Sequence, residues 1–282
     1  MLTGIAWAQD DLLSEVDKQV QEDITYTAYT FKSTRIINGH SVEVMKKNQL
    51  DFRINHRFGE LNTGAYELFG LDNALVNFSL EYGLTDRFNI GVRRGTYQKA
   101  YDGSVKYLFL RQCSGKRNVP VTITYFSDLS VNTLKITNPA QKNDFTNRLA
   151  YVHQLLIARK FNDYISLQLT PSFVHRNQVK DVEDNDTYGC GFGGRYKFSR
   201  RMAFTFEGFY VTLNSKSGCQ YPLALGFDIE TGGHVFQLFV TNSRPMLEKG
   251  MLAETTGDIT KGGLYLGFNI SRVYAFGKNT DK

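Results

Sequence analysis

The sequence predicts one antiparallel, membrane-spanning β-barrel of about twelve strands. Three observations carry that prediction: period-two alternation of apolar and polar residues from Gln49 onward, connections that alternate between short and long, and an aromatic-rich, glycine-punctuated composition. The 282 residues include 21 Phe, 16 Tyr and 25 Gly but only 5 Pro and 5 Met, the profile of an all-β chain.

Successive side chains on a strand point to opposite faces, so each strand can be read by parity. Leu50, Phe52, Ile54 and Phe58 share one face, and Asp51, Arg53, Asn55 and Arg57 share the other. The same alternation places Val76/Phe78/Leu80/Tyr82, Phe88/Ile90/Val92, Val105/Tyr107/Phe109 and Val121/Ile123/Tyr125 on apolar faces. It continues through Leu149/Tyr151/Leu155/Ile157, Ile165/Leu167/Leu169, Tyr188/Phe192/Tyr196 and Phe204/Phe206/Tyr210. Leu223/Leu225/Phe227/Ile229, Phe236/Leu238/Val240 and Leu264/Leu266/Phe268/Ile270 complete twelve candidate strands. Residues 83–86, 114–116, 162–163, 199–201 and 231–233 read as short turns. Residues 60–72, 95–103, 127–144, 178–186, 213–220 and 241–261 read as longer polar loops. One tight rim, one elaborated rim and an even strand count are features of outer-membrane barrels.

Composition excludes several alternatives. A net charge of +5 gives no dense basic patch, so no nucleic-acid partner is expected. No apolar run approaches the roughly 20 residues that a spanning helix needs. Cys113, Cys190 and Cys219 show no disulfide or metal-ligand spacing. Ala6-Trp7-Ala8 has the small-x-small form of an export cleavage site, so residues 1–8 read as a signal-peptide remnant. Residues 9–47 form an N-terminal segment, and residues 48–278 the barrel. Within that segment, residues 11–20 suggest a short amphipathic helix. Asn38-Gly39 reads as a hairpin turn with φ > 0 at both positions. The segment could plug the lumen, cap the barrel from the periplasm, or add a hairpin to the wall; plug or cap is preferred, with Arg35, Asn38, Gly39 and His40 at its centre.

Alternation alone does not say which face meets solvent. Glycines on the polar face (Gly91, Gly189, Gly191, Gly193, Gly226, Gly267) suit a crowded concave wall. Tyr82, Phe88, Tyr107, Phe161, Tyr164, Tyr196 and Phe198 near strand ends suit interfacial girdles. Both favour a lipid-facing apolar surface. Phe31-Lys32-Ser33-Thr34-Arg35-Ile36-Ile37-Asn38-Gly39-His40-Ser41-Val42-Glu43, Leu50-Asp51-Phe52-Arg53-Ile54-Asn55-His56-Arg57-Phe58-Gly59, Tyr66-Glu67-Leu68-Phe69-Gly70-Leu71-Asp72 and Tyr82-Gly83-Leu84-Thr85-Asp86-Arg87 add a resemblance. Together they resemble a family of outer-membrane β-barrel proteins from Bacteroidota, a domain of unknown function. The resemblance implies the fold and the outer membrane of a Gram-negative bacterium; it implies no site residue.

Parity turns Arg53, Arg57, Arg87, Arg93, Lys106, Arg148, Arg195 and Lys197 inward, with Asp51, Glu81, Glu207, Asp228 and Glu230. Rings of this kind set pore selectivity; a bracing ion-pair network is the structural alternative. The leading expectation is a narrow porin-like channel for small polar or charged solutes. Its rival is a non-conducting structural or partner-binding barrel, with outer-membrane lipid and a periplasmic protein as partners. A lipid-modifying enzyme is the weakest reading, because no GxSxG, HExxH or P-loop is present. His56 and His153 face outward, whereas Ser79 and Ser166 have the wrong parity to join them. Asp181, Glu183, Asp184 and Asp186 read as a solvated loop tip rather than a cation site. No cofactor or metal is expected.

Overall fold

The computed structural model describes residues 23–135, 144–214 and 216–276. The expected remnant at residues 1–8 and the expected helix at 11–20 lie outside these. Fourteen strands are present among the described residues: β1 (Ile24–Tyr26), β2 (Gln49–Glu60), β3 (Ala74–Gly83), β4 (Phe88–Gly95), β5 (Tyr101–Leu110), β6 (Cys113–Gly115), β7 (Thr122–Val131), β8 (Leu149–Lys160), β9 (Ile165–Arg176), β10 (Asp186–Lys197), β11 (Met202–Val211), β12 (Leu223–Thr231), β13 (His234–Thr241) and β14 (Tyr265–Ala275). Twelve of them close a barrel in which each strand pairs antiparallel with its neighbours, and β14 pairs with β2 from Tyr265↔Glu60 to Ala275↔Gln49. Every alternating stretch in the sequence is one of these strands. The remaining two, β1 and β6, form a separate two-stranded sheet.

Burial settles the orientation of the faces. Arg53, Arg57 and Lys106 are 2%, 1% and 2% exposed, while Val92 and Leu225 are 61% and 58% exposed. A water-soluble fold would invert this order, because unpaired burial of a cation is costly and exposed aliphatic surface gains nothing. The arrangement is favourable when lipid surrounds the barrel and polar groups face inward. Asn48 N donates to Gly83 O and Phe276 N to Asn48 O, both at 2.9 and 2.8 Å respectively. Both chain ends of the barrel therefore meet the rim that carries the short turns, which is the periplasmic rim in barrels of this type. There Arg159 and Arg272 stack over Phe161 and Tyr274 at 5.1 and 4.9 Å, keeping their charged heads at the interface level.

Three connections differ from the sequence reading; the loop read as 127–144 starts only after Val131 and runs to Arg148. The link expected as a tight turn at 114–116 is longer, because Cys113 and Val119 pair main chain to main chain and Cys113–Gly115 is engaged by β1. The link expected to span 95–103 is shorter, since β5 already starts at Tyr101. The Asn38-Gly39 turn is also displaced. Ile36 N donates to Gly39 O and Ser41 N to Thr34 O, each at 2.9 Å, so Ile37 and Asn38 occupy the turn. Neither Asn38 nor Gly39 has positive φ. Contacts to the wall, described below, override the local Asn-Gly preference.

Since the outer face meets lipid, Val92→Arg near the middle of β4 should destabilise the folded barrel by roughly 2–4 kcal/mol, the depth-dependent cost of a lipid-facing cation. Urea titration of folding into lipid vesicles reads the difference, with Val92→Leu as the near-neutral comparison.

Candidate functional site

The lumen is filled by two inserts that come from opposite rims. Residues 30–43 rise from the periplasmic rim as a hairpin; Ile37 and Ser41 are each 0% exposed. Side chains of the wall bind its backbone along its length. Glu207 accepts from Ile37 N, Asn38 N and Gly39 N at 3.2, 2.8 and 3.1 Å. Three converging amides form an anion-binding concavity, here filled by a carboxylate of β11. Gln168 accepts from Val42 N at 2.9 Å and donates to His40 O at 2.7 Å. Gln237 and Asn269 donate to Ile36 O and Ile37 O at 2.6 and 2.9 Å. Lys106 Nζ donates to Glu43 O at 2.6 Å, and Arg53 donates to Ser33 and Thr34. Among the described residues, no main-chain hydrogen bond joins 30–43 to a wall strand.

Apolar contacts complete the fit. Phe31, Ile36, Ile37 and Val42 cluster with the inward-facing Phe126, Phe209 and Phe239. Gly193 leaves room for Ile36: a Cβ there would stand 2.8 Å from Ile36 Cδ1, the far end of that side chain.

The second insert is the β13–β14 connection, whose helix Glu248–Ala253 is buried at five of its six positions. Glu248 is 0% exposed and joins the two inserts to the wall. Its carboxylate lies 2.7 Å from Arg35 Nη1 and 2.7 Å from Arg93 Nη1. Arg93 Nη2 also makes a close ion contact with Asp128 Oδ1, at 2.6 Å. Burial alone would raise the pKa of Glu248; Arg35 and Arg93 outweigh it and hold the group below its ordinary value. His40 is pushed well below its ordinary value by burial first, then by Arg35, Lys106, Arg93 and Arg53. It is therefore neutral at pH 7. The contacts assign its tautomer: Nδ1–H donates to Thr34 O at 3.3 Å, and Nε2 accepts from Arg35 Nη2 at 3.2 Å.

Most residues singled out in the sequence line this interior, but as paired charges. Arg53 pairs with Asp51 at 3.1 Å, Lys106 with Glu81 at 3.9 Å and Arg195 with Asp228 and Glu230. Lys32 reaches Glu230 at 3.1 Å. Arg57 has no carboxylate within ion-pair distance among the described residues; it stacks over Phe239 at 4.6 Å and donates to Asn38 Oδ1. Arg148 is not on the inner wall. It ends a 3-10 turn (Phe145–Arg148) ahead of β8 and donates to Asn132 O and Leu134 O at 3.2 and 2.9 Å. Parity does not apply to Arg148, because it lies one residue before β8, which starts at Leu149. Arg87 is exposed in the β3–β4 turn and Lys197 is half-buried at the end of β10.

The expected excess of lumen cations omits four acids. Asp102 and Asp128 are 4% and 2% exposed on the inner faces of β5 and β7. They share parity with Lys106 and Thr124, and that signal was present in the sequence. Glu43 and Glu248 had no such signal, since they belong to the inserts. A serine was missed on the outer face as well. Ser127 pairs in register with His153, and its hydroxyl lies 3.1 Å from His153 Nδ1, which Tyr125 OH approaches to 2.7 Å. The apolar alternation read from the sequence ends at Tyr125, whereas β7 runs on to Val131. No carboxylate contacts His153 among the described residues. In the acidic loop, Glu183 pairs with Arg176 and Asp186 with His175. No group of three or more metal-ligating side chains occurs among the described residues.

Removing one partner of a buried ion pair strands the other charge, which costs about 3–5 kcal/mol. Glu248→Ala should cost that much in urea unfolding and should raise hydrogen exchange at residues 34–41. Adding Arg35→Met should recover part of the loss, because one of the stranded cations is then absent.

No curated protein matches the chain. Among solved structures, the NanC porin is similar at 8% identity and TM-score 0.47, covering 81% of this chain and 100% of that one. The KdgM porin is similar at 13% identity and TM-score 0.46, covering 81% and 99%. An outer membrane channel from Pseudomonas putida F1 is similar at 10% identity and TM-score 0.49, covering 82% and 97%. The profile of one family, the membrane bound beta barrel domain DUF5777, matches residues 31–274. That match spans the luminal hairpin and all twelve wall strands, and the chain belongs to this family of membrane-bound β-barrels.

Proposed function

We propose that this outer-membrane barrel is a porin-like channel for small polar or charged solutes, closed at rest by the hairpin 30–43 and the helix-bearing loop. The observation that supports it most is that the wall closes without the hairpin. Twelve strands satisfy one another's main-chain groups, and only side chains hold residues 30–43 in place. A segment held in this way can leave while the barrel stays intact. Stability alone does not account for the charged filling, because apolar residues of similar volume would serve at least as well as buried ion pairs. A wall that becomes water-lined when the hairpin leaves does account for it.

The non-conducting reading is favoured by one specific observation, the complete burial of Ile37 and Ser41 at the centre of the lumen. An enzymatic role has less support: the Ser127–His153 contact lacks a carboxylate partner, and its hydrogen bonds are made within the trio. The Bacteroidota origin and the export signal implied by the sequence belong to this reading too, as does the N-terminal segment's role as a plug.

Planar-bilayer recording tests the proposal. The full chain should be closed most of the time, and deletion of residues 9–47 should give stable openings with measurable ion selectivity. Gly193→Val offers a milder route, because its side chain would crowd Ile36 and weaken the seating of the hairpin. A correctly folded deletion variant that stays silent would leave only the non-conducting barrel.

A further inference from the structure

At the mouth opposite the periplasmic rim, a cavity of about 260 Å³ lies between the β7–β8 connection, the β9–β10 connection and the helix Glu248–Ala253. Lys135, Arg148, Arg176 and Lys249 line it, with the amides of Asn147 and Gln178. No carboxylate lines it among the described residues. Two acids outside the lining approach two of these cations: Glu183 is 2.7 Å from Arg176 Nη1, and Glu254 is 2.6 Å from Lys249 Nζ and 3.6 Å from Arg176 Nη1. Arg176 is 5% exposed, and its Nε has no hydrogen-bond partner. A buried guanidinium with an unused donor beside a polar cavity has room for one more acceptor.

We infer that this cavity binds a small, hydroxyl-bearing organic anion of the sugar-acid class. Lys135, Arg148, Arg176 and Lys249 share one lining, so each contributes to the potential that a single ligand meets there. Guanidinium groups match the planar fork of a carboxylate, and side-chain amides both donate to and accept from hydroxyl groups. A water molecule needs only about 10–15 Å³, so the volume suits an organic ligand better than a bare ion. The buried Arg176 and the half-buried Lys249 inside the mouth favour a free solute over a lipid phosphate, which stays outside the wall. The inference extends the channel reading by naming a solute class. Binding is measured on the closed barrel, so its failure is distinct from a failure to conduct.

The test is calorimetric titration of the full chain in detergent micelles with glucuronate, glucose, inorganic sulfate and lipopolysaccharide. Glucuronate should bind more tightly than glucose or sulfate, and its affinity should fall as salt is raised. Lys249→Gln removes a charged donor and should weaken glucuronate binding by about tenfold. Lys135→Gln, at an exposed position, should weaken it in the same direction in a barrel whose folding is unaffected. The inference is overturned by any of four results: no glucuronate binding, equal affinity for glucose or sulfate, insensitivity to both substitutions, or displacement of glucuronate by lipopolysaccharide.

Discussion

In the hydrocarbon layer no water is present to satisfy a free amide or carbonyl, and each unsatisfied group costs several kcal/mol. A chain without a long apolar helix meets this constraint by closing a sheet on itself. Closure through the β14–β2 pairing removes the last sheet edge, and the rest of the structure follows from it. A closed sheet has one face toward lipid and one toward the axis, so period two becomes a radial code. The apolar residues go outward, and the charges and amides are left to fill a lumen too narrow to hold them freely hydrated.

That crowding explains the two inserts. Twelve strands lie between eight, whose interior side chains fill, and sixteen to eighteen, which leave an aqueous channel. Wall side chains alone do not fill the interior here, so segments from both rims complete it. Glu207 supplies the acceptor for three amides of the hairpin turn, and Glu248 supplies the counter-charge for a cation on the hairpin and another on the wall. Glu248 lies on the loop-side insert, so the periplasmic hairpin and the opposite mouth share one ion cluster. The neighbouring Lys249 lines the mouth cavity. A change in the position of that helix therefore bears on the hairpin directly.

The barrel was legible in the sequence because period two persists through every wall strand. The luminal residues on strands were legible for the same reason: Arg53, Arg57, Arg93 and Arg195 needed only parity. Parity failed where it was carried past a strand end, at Arg148, or stopped before one, at Ser127 and Asp128. It had nothing to say about Glu43 and Glu248, whose positions depend on where inserts fold back. The hairpin turn shows the limit of local signals. Asn38-Gly39 marked the reversal to within a residue, but Glu207, distant in the chain, determined which amides face the wall.

The closed state has an energetic consequence for the proposed channel. Withdrawing the hairpin uncovers Phe31, Ile36, Ile37 and Val42, each worth about 1.5–3 kcal/mol when fully buried, whereas its polar contacts can be replaced by water. In the proposed channel, spontaneous withdrawal is then rare. A ligand shifts such an equilibrium only by its difference in affinity for the two states. Opening must accordingly be driven where the inserts can be reached: at the β1–β6 sheet under the periplasmic rim, or at the mouth where Lys249 and Glu254 pair. Glu248 binds Arg35 of the hairpin and Arg93 of the wall from the loop-side insert, so hairpin withdrawal and displacement of that helix break the same ion pair.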